Sequence, residues 1–156
     1  MINVLFVCHG NICRSPMAEF MFKKLVKEKG MESEFHIESC ATSTEEIGNP
    51  VYPPAKRKLR EYGMSCEGKT ARQFKKSEYK DWDYILCMDQ YNVRNLMRMV
   101  GNDSAEKISK LLTWCGEGRD VADPWYTGDF QTTYEDIQRG IEAFYQRIVE
   151  EGCKHE

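Results

Sequence analysis

The order of apolar and polar positions divides the chain into short buried strands and amphipathic helices. Residues 3–8 (NVLFVC) form a nearly continuous apolar run, the pattern of a strand buried on both faces of a parallel sheet. From Ser15 onward the period becomes helical, with Met17, Phe20, Met21 and Leu25 on one face. Ser15 suits the N-cap of that helix, Pro16 its first position and Gly30 its stop. Phe35–Ala41 (FHIESCA) alternates and reads as a second strand, and residues 42–54, with Gly48, Pro50, Pro53 and Pro54, read as a loop. Residues 56–62 are helix-like up to Gly63, and the basic, polar residues 65–76 are expected to cover an edge of the domain.

Tyr84–Cys87 is a third buried strand. Asp89 then caps a helix whose apolar face is Val93, Leu96, Met97 and Val100, with Gly101 and Asn102 as its stop. Residues 107–112 are a fourth strand candidate, and Asp123-Pro124-Trp125-Tyr126 is turn-like. A final long helix carries Ile137, Ile141, Phe144, Tyr145 and Ile148. It is expected to begin near Thr132 or Thr133, where Thr132 and Glu135 are compatible with a capping box. Strands alternating with helices predict an α/β fold, a four-stranded parallel sheet with helices on both faces and right-handed connections. Ligands of such sheets bind at the carboxyl ends of the strands.

The bulk numbers agree with this and narrow the chemistry. A length of 156 residues fits one domain, residues 1–156, with a real core. The 22 basic against 25 acidic residues give a net charge of -3, so no global basic field points to nucleic acid, and an anion site must be local. The N-terminal apolar run is far too short for a signal peptide or a membrane span, so a cytoplasmic protein without a membrane partner is expected. The 7 cysteines, Cys8, Cys13, Cys40, Cys66, Cys87, Cys115 and Cys153, show no CxxC pair and read as reduced thiols. His9, His36 and His155 are scattered, so neither a metal site nor another cofactor is called for.

The segment Cys8-His9-Gly10-Asn11-Ile12-Cys13-Arg14-Ser15 lies where a buried strand ends and a helix begins, the natural anion site of such a sheet. Five residues between Cys8 and Arg14 allow the loop to close so that its backbone N–H groups point inward as a nest. Gly10 and Asn11 are residue types that tolerate left-handed backbone. A thiol at the mouth of a nest, beside a guanidinium and a helix N-terminus, is expected to ionise at neutral pH and act as a nucleophile. Arg14 offers planar, bidentate donors matched to phosphoryl oxygens. The bare spacing is common by chance; the strand-loop-helix context and the Gly, Asn, Ser and Pro positions raise it above a buried strand cysteine and a surface arginine.

The run VCHGNICRSP, residues 7–16, resembles the phosphate-binding loop of the low-molecular-weight protein tyrosine phosphatases. The likeness extends over essentially the whole chain, through IESCATS, the Ala-Arg-Gln tripeptide at 71–73, DYILCMD and DPWY in family order. It implies the phosphotyrosine protein phosphatase I-like fold and hydrolysis of phosphotyrosine through a phosphocysteine on Cys8. Arg14 would bind the phosphoryl group, and Asp123, before Pro124, would act as general acid and then as base. Asn11, Ser15 and Ser39 match positions that hold the cradle open, and Cys13 matches a second loop cysteine able to trap an oxidised Cys8 as a disulfide. Trp125 and Tyr126 resemble an aromatic wall for the substrate ring, although Trp125 also suits a core position.

Ile12 resembles the tyrosine-directed branch of the family, a Thr there being the mark of the arginine-directed one. Three positions depart from the better-known pattern. Lys69 stands where many members have a His bracing the loop's Asn, Glu45 falls where some members place an aromatic on the pocket rim, and His9 occupies a variable position facing the pocket. The implied partners are a phosphotyrosine-containing protein as substrate and inorganic phosphate or vanadate as inhibitors, the chain being a monomer or weak dimer. Two other functions fit parts of the pattern. A thiol-dependent arsenate reductase shares the fold, but beyond Cys87 no cysteine follows before Cys115. A non-catalytic phosphotyrosine-binding module has no need of Cys8 or Asp123.

Overall fold

A strand with apolar side chains on both faces belongs in the middle of a sheet, and β1 (Ile2–Cys8) lies there. In the computed structural model, which describes residues 1–152, β1 pairs in parallel with β2 (Phe35–Ala41) on one side and β3 (Tyr84–Cys87) on the other. Strand β4 (Ile108–Lys110) adds to β3, so the order is β2-β1-β3-β4 and all pairs are parallel. Cys153 and His155 lie outside the described residues.

Side chains alternate across the sheet, so β1 feeds two cores. Val4, Phe6 and Cys8 face a layer made by α1 (Arg14–Glu28) and the last long helix, and Leu5 and Val7 face the side of α3 (Gln90–Val100). On the first face Phe22 sits at the centre of an aromatic cluster, with ring centroids 5.8 Å from Phe6, 5.4 Å from Phe35 and 5.5 Å from Phe144. Edge-to-face and tilted pairs of this kind favour one arrangement of the helices over others. On the second face Leu96 and Val100 of α3 meet Leu5, Val7, Ile85 and Ile108. Helices thus cover both faces of a single α/β domain.

Several boundaries differ from the sequence reading. Helix α1 starts at Arg14, with Cys13 at the cap and no side-chain cap bond, so Ser15 lies inside the first turn rather than at the N-cap. Its hydroxyl is turned toward Cys8, which leaves the first N–H groups of the helix pointing into the loop. The buried stripe of α1 is Met17, Ala18, Met21, Phe22 and Val26, and Phe20 and Leu25 sit at its margin. Helix α2 (Pro53–Glu61) begins in the predicted loop, because its prolines occupy first-turn positions that need no N–H partner. A short helix α4 (Pro124–Thr127) replaces the predicted turn, capped by Asp123. Helix α5 (Phe130–Tyr145) is capped by Asp129, which accepts from the Thr132 N–H at 3.0 Å, and Glu135 instead receives a bond from Gln131, so no Thr132–Glu135 capping box forms.

The stretch from 71 to 74 lies along the end of β2 as expected of an edge cover: Ala41 N–H donates to the Arg72 carbonyl and Phe74 N–H to the Ala41 carbonyl, both at 2.8 Å. The fourth strand is shorter than its sequence signal, because Leu111–Cys115 turns into a tight helical turn beneath α5. There Gly140 of α5 allows close approach, since a Cβ on it would lie 2.6 Å from Leu111 Cγ. Gly140→Ala is therefore expected to lower stability by about 1–3 kcal/mol through overpacking, despite the better helix propensity of Ala. Urea unfolding checks this, and an equal or raised stability would contradict the packing described.

Candidate active site

The chain leaves β1 toward β2 and returns to the opposite side of β1 for β3, so a crevice opens at the carboxyl end of β1. Cys8 is the last residue of that strand. Neighbouring backbone pins the loop after it on several sides. Thr42 N–H donates to the Cys8 carbonyl at 3.0 Å, Ser43 N–H to the His9 carbonyl at 3.1 Å and Tyr52 N–H to the Ile12 carbonyl at 2.9 Å.

Within this frame the loop curls around the Cys8 sulfur. The backbone N–H groups of Asn11 and Ser15 point at Sγ from 3.3 and 3.4 Å, and the Ser15 hydroxyl lies 2.9 Å away. Asn11 adopts φ +60°, a left-handed conformation that brings its N–H inward. Gly10 has no such φ, and a Cβ there would make only ordinary contacts, 3.4 Å from Glu46 Cγ and 3.8 Å from Ile12 Cγ1. Two backbone N–H donors and a hydroxyl at a helix N-terminus, gathered on one sulfur, are suited to bind a tetrahedral anion whose central atom approaches that sulfur.

Arg14 is buried, at 3% exposure, rather than on the surface. Its Nη1 donates to Asp89 Oδ2 and to the Val121 carbonyl, both at 2.8 Å, and its Nη2 lies 3.5 Å from Asp123 Oδ2. Burial opposes the guanidinium charge, but the Cys8 sulfur, Asp89 and Asp123 outweigh it and hold Arg14 above its ordinary range. Asp89 also caps α3 through the Asn92 N–H at 2.8 Å, so one carboxylate fixes both the helix and the arginine. This anchoring role had no local sign in the sequence beyond the end of the DYILCMD strand.

Asp123 reaches the pocket from the start of α4, where its Oδ1 caps the Trp125 N–H at 3.0 Å and leaves Oδ2 toward Arg14. The pocket mouth is formed by His9, Glu45, Trp125 and Tyr126 over a floor of Cys8, Ile12, Cys13 and Arg14, and Glu46, which the sequence reading missed, joins the wall. His9 Nε2 and Glu45 Oε1 are 3.2 Å apart across the rim. Trp125 is 52% exposed and is not a core residue; its ring is tilted against Tyr52 at 4.7 Å between centroids. Tyr126 stands almost fully exposed. Cys13 is buried, and burial, then the Cys8 sulfur and Asp123, push its thiol well above the ordinary range.

Beneath the loop, Asn11 Nδ2 donates to the hydroxyls of Ser15 at 2.8 Å and Ser39 at 3.0 Å, and its Oδ1 accepts from the Arg72 N–H at 3.2 Å. Lys69 does not reach Asn11; its Nζ donates to the Ser39 carbonyl at 2.9 Å and lies 3.5 Å from Glu19 Oε1. Among the described residues, no group of three or more His, Cys, Asp or Glu side chains is placed to hold a metal ion, and no helix is long and apolar enough to cross a membrane.

Comparison with known proteins places this geometry in a family. The model of the low molecular weight phosphotyrosine protein phosphatases matches residues 3–154. The chain is 40% identical over 153 residues to the low molecular weight protein-tyrosine-phosphatase YfkJ of Bacillus subtilis, covering 97% of this chain and 98% of that protein. It is 41% identical over 150 residues to the low molecular weight phosphotyrosine protein phosphatase of Gallus gallus, covering 93% and 94%. The crystal structure of YfkJ superposes with a TM-score of 0.93 over 97% of this chain and 96% of that one. A match over nearly the full length, joined to a donor-lined cysteine loop at the end of β1, makes this chain a member of the low molecular weight phosphotyrosine protein phosphatase family.

Proposed function

We propose that the chain hydrolyses phosphotyrosine and other aryl phosphates through a covalent phosphocysteine on Cys8. The observation that carries the mechanism is the convergence of three groups: the Cys8 sulfur facing the N–H groups of Asn11 and Ser15, Arg14 lining the same pocket, and, from over 100 residues on, the Asp123 oxygen 3.5 Å from Arg14 Nη2. The loop N–H groups and the arginine receive the phosphoryl oxygens and interact with them more strongly as charge gathers there in the transition state. The Cys8 thiolate attacks phosphorus in line, an S–P bond forms and the P–O bond to the aryl group breaks. Protonated Asp123 donates its proton to the departing phenolate oxygen. As carboxylate it then takes a proton from water, whose oxygen attacks phosphorus, breaks the S–P bond, releases inorganic phosphate and restores the thiolate.

Arg14 is suited to this because Asp89 and Val121 hold one of its nitrogens, so the side chain loses little freedom when phosphate binds. Ile12 and the exposed Trp125 and Tyr126 around the mouth favour an aromatic leaving group, Trp125 being backed by Tyr52. Cys13, on the pocket floor with Cys8, is the thiol that would capture oxidised Cys8 as a reversible disulfide. A phosphotyrosine-bearing protein is the substrate class this site fits, and the mechanism requires no metal.

Pre-steady-state hydrolysis of p-nitrophenyl phosphate tests the mechanism. The wild type is expected to show a burst of nitrophenol, Cys8→Ser to show neither burst nor turnover, and Asp123→Asn to lose roughly a hundredfold or more in kcat. Absence of turnover by the wild type would favour a binding module, and arsenate-dependent oxidation of thioredoxin would favour a reductase. Vanadate and inorganic phosphate are expected to inhibit competitively and a chelator to leave the rate unchanged. Loss of activity on chelation would contradict the proposed chemistry.

A further inference from the structure

We infer that Asp136 of α5, clamped by Arg119, is a positioning residue for the general acid: it fixes the strap of chain that carries Asp123 to the pocket. The inference rests on the reading of Asp123 as that acid. Residues 116–123, between the helical turn at Leu111–Cys115 and α4, form no helix or strand. No ladder of backbone bonds sets their place, and Gly116, at φ +82°, turns the chain away from the helical turn. Yet this strap supplies both the Val121 carbonyl that anchors Arg14 and the Asp123 oxygen that faces the pocket.

The strap is fastened on two sides. Toward α3, Asp120 Oδ1 accepts from the Gln90 N–H at 3.1 Å and from Lys110 Nζ at 3.0 Å, and the Val121 N–H donates to the Met88 carbonyl at 2.9 Å. Toward α5, the Thr133 hydroxyl donates to the Ala122 carbonyl at 3.2 Å, a long bond between neutral groups. The stronger fastening on that side is ionic. Arg119 Nη1 donates to Asp136 Oδ2 at 2.9 Å and Nη2 to Oδ1 at 2.8 Å, a two-pronged contact that fixes direction as well as distance. Oδ1 also accepts from Arg139 Nη2 at 2.6 Å. Glu117, at the start of the strap, closes the ring by accepting from Arg119 Nε at 2.7 Å and from Arg139 Nη1.

An exposed ion pair contributes little, and the Arg119 side chain is half-exposed. Asp136 differs, because the residue is 4% exposed and a buried carboxylate requires its donors. The Arg119 hydrogen bonds hold its carboxyl below the ordinary range although burial opposes them, so it is ionised at neutral pH. Placement gives the pair its use. Arg119 lies two residues before Val121 and four before Asp123, and Thr133 and Asp136 stand three residues apart on one face of α5, so the clamp grips the strap beside its working end. When the strap shifts, Arg14 keeps Asp89, whereas Asp123 Oδ1 caps the Trp125 N–H, a group that moves with the strap. The loss therefore falls on the acid, where a misplacement of about 1 Å costs up to about a hundredfold in rate.

The test is kcat/KM, which reports the steps up to release of the phenol, for phenyl phosphate and p-nitrophenyl phosphate, together with urea unfolding of each variant. Phenolate is the stronger base and depends more on a proton from Asp123, so a misplaced acid penalises phenyl phosphate selectively. Asp136→Asn is expected to lower kcat/KM roughly tenfold for phenyl phosphate, a part of what a general acid supplies, and clearly less for p-nitrophenyl phosphate. Arg119→Met, which removes a half-exposed side chain, should give the same selective loss where Asp136→Asn fails to fold, and Arg119→Lys should recover part of it. On an Asp123→Asn background, Asp136→Asn should add no further selectivity. Equal losses on the two substrates, an unchanged ratio in a folded variant, or a further selective loss on that background would overturn the inference while leaving Asp123 as the acid. No selective loss in Asp123→Asn itself would overturn the acid reading and the inference with it.

Discussion

The structure depends on one constraint: a sulfur placed at the end of a buried central strand must be surrounded by donors that have no other use. Cys8 is fixed by β1, which is locked between two parallel neighbours and buried on both faces. The strand cannot shift by one residue without exchanging Phe6 and Val7 between the two cores. The donors come from the loop and from the first turn of α1, whose N–H groups lack the side-chain cap that would satisfy them. The uncapped helix start is thus a local loss of stability kept in place by the packing of Met17, Met21 and Phe22 further along the same helix.

The remaining parts of the site follow from where the topology brings chain segments together. Because β1 lies between β2 and β3, the end of β2, the segment after β3 and the segment before α4 all come near its carboxyl end. The end of β2 supplies Ser39 as a support beneath Asn11, the segment after β3 supplies Asp89 as an anchor for Arg14, and the segment before α4 supplies the Val121 carbonyl for the same arginine and the Asp123 oxygen facing the pocket. Rigidity is shared unevenly. The floor is buried, whereas the rim of His9, Glu45, Trp125 and Tyr126 is exposed and held by few contacts. Such a division suits a site that handles one fixed group, the phosphoryl, within variable surroundings.

Much of this was legible in the sequence, for reasons that differ by element. Strands β2 and β3 were readable to the residue because both are short and bounded by clear turn chemistry, and the Asp89 cap and the Gly101 stop of α3 were readable because caps are local. The starts of α1 and α5 were misplaced, since Ser15 and Thr132 are good cap residues by type, but the Ser15 hydroxyl is turned toward Cys8 and Thr132 is itself held by the Asp129 cap. The partners of Arg14 lie 75 and 107 residues away in the chain, and no spacing rule reveals them. Lys69 was visible as a departure from the family pattern, but its partner Glu19 looked like one more polar residue of an amphipathic helix until its burial was known.

The central claim is that the Cys8 sulfur becomes bonded to phosphorus. Asp123→Asn protein mixed with p-nitrophenyl phosphate, quenched rapidly under denaturing conditions and studied by phosphorus NMR, measures this directly. The account predicts a phosphorus signal of a thiophosphate ester that maps to the peptide containing Cys8 and is missing from Cys8→Ser. Phosphorus found only as free phosphate and substrate throughout turnover would contradict it.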